Sequence, residues 1–339
     1  MAETKPLISV VVPFYNIEGC VRYCMKSLLS QTFWDYEIVC IDDGSTDGTG
    51  KLLDGYGDLA NVVVHHKENG GLSEARNYGV GVARGELVTF VDGDDIISPY
   101  YLEALESCYR ECGGGMAIGQ VLYISEDEAH NASIEWGIPA TRLRIEKRDL
   151  IEKYAYEEIL PAACCRLAPL ELYKNRSFPS GAYYEEIATA TGFVSDVDIV
   201  AVIEGPIYGY VMRPGSIVHR KRAQLKQVED YIVAIDSFGD EAGWDKQDPA
   251  RIYFECLHYS RIYRLLNVVA DAGDETEEIR KAIVSQVRRS LASLLKDNRV
   301  SKGNKARFAI LGLIPRAYSK AFEVYGKRRG FRRTASIGG

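Results

Sequence analysis

Long hydrophobic runs are missing from this chain. None approaches the roughly eighteen consecutive apolar residues of a membrane-spanning helix, and the start, Met1-Ala-Glu-Thr-Lys-Pro6, lacks the charged stretch and apolar core of a signal peptide. Both absences predict a cytoplasmic protein. A positive charge balance is missing too: the formal net charge is −7, which argues against a protein that coats nucleic acid, and no nucleic-acid partner is expected. The eight cysteines contain no Cys-x-x-Cys, so neither a zinc ribbon nor a redox dithiol is indicated. Cys20/Cys24 and Cys108/Cys112 share helix faces at i,i+4 spacing and read as small buried hydrophobes.

Glycine-rich phosphate loops are absent as well. Ile8-Ser-Val-Val-Val12 has the content of a buried strand, yet it opens into Pro13-Phe-Tyr-Asn16, where a dinucleotide-binding domain would carry glycines. Gly50-Lys51 is followed by Leu52 rather than Ser or Thr, which excludes a P-loop, and Gly79-x-Gly81-x-x-Arg84 fails the dinucleotide fingerprint.

What is present is a soluble, globular composition, 46% hydrophobic and 26% charged over 339 residues, enough for two domains or one large domain with an appendage. The organising stretch is Leu87-Val-Thr-Phe-Val-Asp-Gly-Asp-Asp95. Its apolar half reads as a central strand and delivers Asp92, Asp94 and Asp95 to the sheet edge where open α/β sheets bind ligands. Acids this close repel one another unless a cation intervenes, and all-oxygen ligation suits Mg2+ or Mn2+. In isolation the same four residues would read as an ordinary Asp-Gly turn.

Other segments supply the company. A helix over Ile17–Ser30 follows from the spacing of Val21, Met25, Leu28 and Leu29. A second buried strand, Tyr36–Ile41, ends in Asp42-Asp-Gly-Ser-Thr-Asp47; Thr46 or Asp47 can cap the next helix, whereas Asp42 is placed to accept hydrogen bonds from a base or ribose. A third strand, Asn61–Val64, precedes Asn69-Gly-Gly71 and a helix with Ser73 as its expected cap. Arg76 in its first turn opposes the helix dipole, which either a diphosphate or a surface salt bridge would explain. Met116–Ile124 reads as a strand, Ser125–Arg148 as an irregular acceptor-facing loop, and Val197–Ile203 as another strand. Glu185-Glu186 opens a helix, as dipole complementarity alone would allow. Arg213 and His219 flank a Pro-Gly turn, and His219 is a candidate metal ligand.

Val12-Pro-Phe-Tyr-Asn16, Asp42-Asp-Gly-Ser-Thr-Asp47, Asn69-Gly-Gly71, Ala75-Arg-Asn-Tyr-Gly79, Ala83-Arg-Gly85 and Phe90-Val-Asp-Gly-Asp-Asp95, in this order, resemble the catalytic domain of glycosyltransferase family 2. The resemblance is detailed from about residue 7 to 110 and looser to 220. It implies a GT-A nucleotide-diphospho-sugar transferase fold, α/β with a Rossmann-like mixed sheet flanked by helices. It also implies inverting transfer from a nucleotide sugar, here expected to be a UDP-sugar, to a hydroxyl of a glycan or lipid-linked acceptor in surface-polysaccharide synthesis. On the family's pattern Pro13, Tyr15 and Asp42 bind the base, and Arg76 the diphosphate or sugar. Asp92 holds the ribose or sugar, Asn69 and Arg213 contact the donor, and Asp94 holds Mn2+ or Mg2+ with Asp95 nearby. The family's later Glu-Asp pair matches Glu185-Glu186, a departure that leaves either glutamate open as general base. The rival readings are a nucleotidyltransferase, which would need a basic glycine-rich loop after the first strand, and a nucleotide-sugar-binding protein without transferase activity.

Domains are expected at 1–221 for the catalytic part, 222–300 for a helical appendage and 301–339 for a basic amphipathic tail. The tail has ten Lys/Arg against Glu323, with an interrupted apolar stripe of Phe308, Leu311, Tyr318, Phe322 and Tyr325. Such an end suits the anionic inner face of the plasma membrane, a docking helix for a partner, or a disordered tail. Oligomeric state is open, a homo-oligomer included.

Overall fold

The computed structural model describes residues 5–131, 134–139, 142–213, 223–269 and 273–318, which group into two compact units. The first comprises residues 1–150, 161–186 and 192–214; the second comprises 151–160, 187–191 and the chain from 215. A linear reading cannot see the two short excursions into the second unit, because they carry no change in composition.

In the first unit the described strands form a nine-stranded sheet. Its parallel half is built from β1 (Ile8–Phe14), β2 (Tyr36–Asp42), β3 (Val62–His66) and β4 (Leu87–Phe90), in the order β3-β2-β1-β4. The helices α1 (Glu18–Leu29), α2 (Thr49–Asp54) and α3 (Leu72–Val82) make the crossovers. Strands β1, β2 and β4 are buried along their whole length, which is why they read as continuous apolar runs. The chain runs outward from β1 to β3 and then returns to β4 on β1's other side. The carboxyl ends of β1 and β4 are therefore the switch point at which such sheets open a crevice.

Two buried polar devices hold this half together. Glu37 on β2, 1% exposed, accepts from Ser9 Oγ at 2.6 Å, from the Arg84 backbone N–H at 2.7 Å and from Arg84 Nε at 2.8 Å, so the Ala83-Arg-Gly85 turn is tied to two strands before β4 begins. Asp43, just beyond β2, accepts from the Gly70 and Gly71 backbone N–H groups, at 3.0 and 2.8 Å, and from Lys67 Nζ at 2.6 Å. It thereby fixes the glycine turn before α3. That helix begins at Leu72 with Gly71 as its cap residue, so the expected Ser73 cap is corrected: the carboxylate from β2 takes the turn's donors.

The remaining strands are short or late. They are β5 (Ile96–Ile97), β6 (Met116–Ser125), β7 (Arg142–Ile145), β8 (Arg166–Pro169) and β9 (Val200–Met212), with α4 (Tyr101–Glu111), α5 (Glu126–Asn131), α6 (Lys147–Ala155), α7 (Leu170–Asn175) and α8 (Glu185–Ser195) between them. Strand β8 runs antiparallel to both β4 and β6, and β9 runs parallel to β6. The expected loop at Ser125–Arg148 in fact contains α5 and β7; elements of six and four residues are too short to repeat an apolar period. The strand expected at Val197–Ile203 continues as β9 to Met212 through a register shift, where Gly205 takes a φ of 104°.

The second unit contains α9 (Leu225–Glu241), α10 (Pro249–Leu265), α11 (Asp274–Lys296) and α12 (Lys302–Leu313). Asp248 and Ser301 cap α10 and α12 through their side chains, and Gln224 and Gln227 cap α9 reciprocally. Phe238 stacks on Phe254 at 4.1 Å between ring centres. Phe308, Leu311 and Tyr318, expected to form a membrane-facing stripe, are at most 2% exposed and belong to this unit's core, where burial against other helices satisfies them. Phe322 and Tyr325 lie outside the described residues. No helix among the described residues is long and apolar enough to cross a membrane.

Candidate active site

Arg76 organises the site. Its side chain is fully buried, and its charge is shared by three carboxylates from two distant segments. Nη1 donates to Glu185 Oε1, while Nη2 donates both to Asp92 Oδ1 and to Glu186 Oε1, each at 2.9 Å. One nitrogen thus joins the acid at the end of β4 to an acid in the first turn of α8. The sequence left Arg76 to a diphosphate or sugar or to a salt bridge; in this structure the guanidinium bonds carboxylates and is shielded from solvent. Burial alone would depress its pKa, but Asp92, Glu186 and Glu185 raise it instead, and it stays charged.

The ground beneath α8 is aromatic. Phe90, Tyr173, Phe178 and Phe193 pack edge-to-face and tilted at 4.7–5.5 Å, and the Arg76 guanidinium lies over the Phe178 ring at 5.4 Å. Asn77, beside Arg76, donates to the Phe178 carbonyl at 2.8 Å and accepts from the Phe178 N–H at 2.9 Å. Helix α3 therefore holds both the acid pair and the turn that leads to it. Tyr184, immediately before the pair, has a left-handed φ of 61°, a conformation a bulky residue adopts only when its surroundings impose it.

The two glutamates differ. Glu185 is buried, and its carboxyl is pushed up by that burial, with Arg76 pulling against it and Glu186 adding to it. Glu186 keeps 30% of its side chain exposed; its Oε1 takes both Arg76 and the Ala163 N–H, and Oε2 has no hydrogen-bond partner among the described residues.

The three aspartates after β4 also separate. Gly93 has no room for a Cβ, which would lie 2.5 Å from the Phe14 ring and 2.7 Å from the Pro13 carbonyl, so the loop lies flush on β1. Asp95 is 1% exposed; Tyr208 Oη donates to its Oδ2 at 2.7 Å and the Val211 N–H to its Oδ1 at 2.8 Å. Burial, then Asp94 and Asp92, raise its pKa well above the ordinary range. Grouped with the metal ligands on sequence, Asp95 in fact spends both oxygens on β9. Asp94 is partly exposed, and Arg213 donates to its Oδ2 from Nε at 3.0 Å and Nη2 at 2.5 Å. Burial and the Asp92 charge raise its pKa against the pull of Arg213. Among the described residues no group of three or more His, Cys, Asp or Glu side chains forms a metal cage. Asp92 Oδ2 and Asp94 Oδ1 are nevertheless without hydrogen-bond partners there. Two carboxylates plus substrate phosphates and water are what Mg2+ usually takes, so these residues fit a divalent ion carried with a nucleotide. His219 lies outside the described residues.

At the ends of β1 to β3, Tyr15 is 49% exposed while Pro13 is buried and its carbonyl accepts from the Gly93 N–H at 3.2 Å. Asn69 turns its amide onto Asp43. Asp42 accepts from the Ser45 N–H at 3.0 Å and faces His66 Nδ1 at 2.8 Å, and His66 Nε2 faces Asp54 at 2.9 Å. A carboxylate at each nitrogen favours the protonated ring. Hydrogen bonds to Asp42 and Asp54 raise the His66 pKa; burial pushes Asp42 up, but Ser45 and His66 more than offset it and its pKa is lowered. The stability His66 gives is complete below its unfolded value of about 6.5 and is lost as pH rises through the higher folded value. Urea midpoints measured between about pH 6 and pH 9 should therefore fall less for His66→Gln than for the parent; equal slopes would refute the charged bridge.

Tyr208, Asn77 and Asp43 were not singled out from the sequence. Asp43 and Asn77 carried a visible signal, as the second acid of Asp42-Asp-Gly and as a member of Ala75-Arg-Asn-Tyr-Gly79.

The family described as Glycosyl transferase family 2 matches residues 9–175. The glycosyltransferase GlyG of Streptococcus pneumoniae serotype 4 is 30% identical over 67% of this chain and 77% of its own length. Among solved structures, residues 1–349 of S. aureus TarS in complex with UDP-GlcNAc superpose with a TM-score of 0.65 at 20% identity, covering 96% of this chain and 93% of that one. The mannosyltransferase PcManGT from Pyrobaculum calidifontis, in complex with GDP-Man and Mn2+, gives 0.51 at 15% identity over 92% and 88%. The sheet and its flanking helices have the GT-A-like architecture of these neighbours.

Proposed function

The chain belongs to glycosyltransferase family 2, and from that premise we propose that it transfers a sugar, with inversion, from a UDP-sugar to a hydroxyl of a glycan or lipid-linked acceptor. The observation that carries this reading is the single Arg76 nitrogen shared by Asp92 and Glu186, which sets a donor-side acid and a solvent-reaching acid against one cation.

Glu186 Oε2 is the atom that takes the acceptor's proton. The acceptor oxygen then bonds to the anomeric carbon as the bond from that carbon to the diphosphate breaks, and the nucleoside diphosphate leaves with the electron pair. Arg76 keeps Oε1 fixed, so the base does not swing, and Tyr15 offers an exposed face for stacking the base. Asp42, itself held by Ser45 and His66, is the acceptor that reads the base. Asp92 and Asp94 would hold Mn2+ or Mg2+, which when bound shields the diphosphate charge. The UDP-GlcNAc held by one structural neighbour supports the choice of donor, and the Mn2+ held with GDP-Man by another supports the choice of metal.

The test is a panel of nucleotide sugars, each with and without Mn2+, read by thermal shift and by donor hydrolysis. One UDP-sugar is expected to raise the melting temperature and to be hydrolysed slowly in a metal-dependent way. Hydrolysis unaffected by chelator would remove the metal from the mechanism, and no shift with any member would remove the donor.

A lipid-linked acceptor for surface-polysaccharide synthesis would place the protein at the inner face of the plasma membrane. Leu313 and Ile314 are 62% and 60% exposed, and residues 319–339 carry six Lys/Arg against Glu323. Each such cation can add about 1 kcal/mol at an anionic surface. Deleting 319–339 leaves the buried Phe308, Leu311 and Tyr318 in place, and is expected to abolish sedimentation with anionic vesicles at low salt without changing the melting temperature. Unchanged sedimentation would rule out membrane contact through the tail.

A further inference from the structure

Among the described residues, one cationic side chain bonds Asp94. Arg213 donates to Oδ2 from both Nε and Nη2. The other guanidinium in the site, Arg76, is committed to Asp92, Glu185 and Glu186, and Asp95 is bonded by the neutral donors Tyr208 and Val211. A divalent ion approaching Asp94 therefore meets a positive charge already seated on that carboxylate, and two cations at one carboxylate repel. Arg213 is 21% exposed and follows the end of β9, so it can leave, but a guanidinium stripped of its partner needs another anion. A diphosphate is such an anion, and its oxygens match the planar fork of arginine.

We infer that Arg213 is a resident counter-ion for Asp94, exchanged for the metal when the donor's diphosphate accepts the arginine. The inference rests on the donor and metal reading above. Its consequence is that metal and nucleotide bind with positive coupling carried partly by this side chain, beyond direct chelation of the metal by phosphate. Arg213 is then a positioning residue that keeps the acid site poorly loaded until donor is present. Coupling between sites is reciprocal, so the same exchange strengthens nucleotide binding in the presence of metal.

The experiment titrates the full chain with Mn2+, following free Mn2+ by electron paramagnetic resonance, first without nucleotide and then with UDP. Arg213→Met, having lost the competing charge, is expected to bind Mn2+ alone about tenfold more tightly than the parent. Arg213→Lys, which keeps the charge, should stay close to the parent. Without metal, Arg213→Met should bind UDP more weakly than the parent while uridine, which lacks the diphosphate, is bound equally. If Mn2+ alone binds parent and Arg213→Met equally, or binds Arg213→Lys as tightly as Arg213→Met, the exchange is wrong. Absence of UDP binding in every protein would overturn the donor reading, and with it the arginine's destination, whereas the nucleotide-free titration still decides whether Arg213 competes at Asp94.

Discussion

Glu186→Gln should lower kcat by about 10²–10⁴-fold, the usual worth of a positioned general base, while the affinity for the donor changes little. Glutamine fills the same space and can still accept from Arg76 and from the Ala163 N–H, so the site keeps its shape and loses only its proton acceptor. Glu185→Gln is the control. Its carboxyl is buried against Arg76, so its loss should appear mainly in stability. Single-turnover rates on acceptor and thermal melts of both variants separate the two roles; a larger rate loss in Glu185→Gln would transfer the base assignment to that residue. Glutamate stands where the family pattern has aspartate as the second acid. With its extra methylene, Glu186 holds one oxygen between Arg76 and Ala163, and the other has no hydrogen-bond partner among the described residues.

Arg76→Met should cost about 3–5 kcal/mol of folding stability, the range for removing one partner of a buried ion pair, and should abolish transfer. Three carboxylates would be left crowded around an apolar side chain. The pH dependence distinguishes this from lost packing. Glu185 already has its folded pKa raised, by burial first, and removing Arg76, which lowers it, raises it further. An acid whose folded value exceeds its unfolded one opposes folding above that folded value, and the penalty disappears as pH falls toward the unfolded value of about 4.3. The deficit of Arg76→Met in urea midpoint should therefore shrink between about pH 8 and pH 5. A constant deficit would mean that the guanidinium acts by volume alone.

Strands β1, β2 and β4 were legible in the sequence because each is buried along its whole length, and α1 because its apolar residues recur at helical spacing. Convergence of Asp92 with Glu186 was legible only through the resemblance. What local reading missed is instructive about range. Arg76 stood out as a cation in the wrong place along a helix, and that oddity was real, but its partners Glu185 and Glu186 lie more than a hundred residues on, where no spacing rule reaches. Asp43 and Asp42 were indistinguishable as neighbours, yet one closes a turn and the other faces a histidine, because alternate residues at a strand's end point to opposite sides. Tyr208 fell beyond the strand expected to end at Ile203, yet its hydroxyl both donates to Asp95 and accepts from the Asp92 N–H.

The tight seat of Gly93 against Phe14 and Pro13 bears on what such a protein could be re-engineered to accept. With no slack between Asp92 and Asp94, the first strand acts as a ruler for the spacing of those acids, and substitutions around them cannot widen the gap without lifting the backbone off the sheet. Attempts to change donor preference would therefore do better to remodel side chains that rim the crevice, leaving its floor alone.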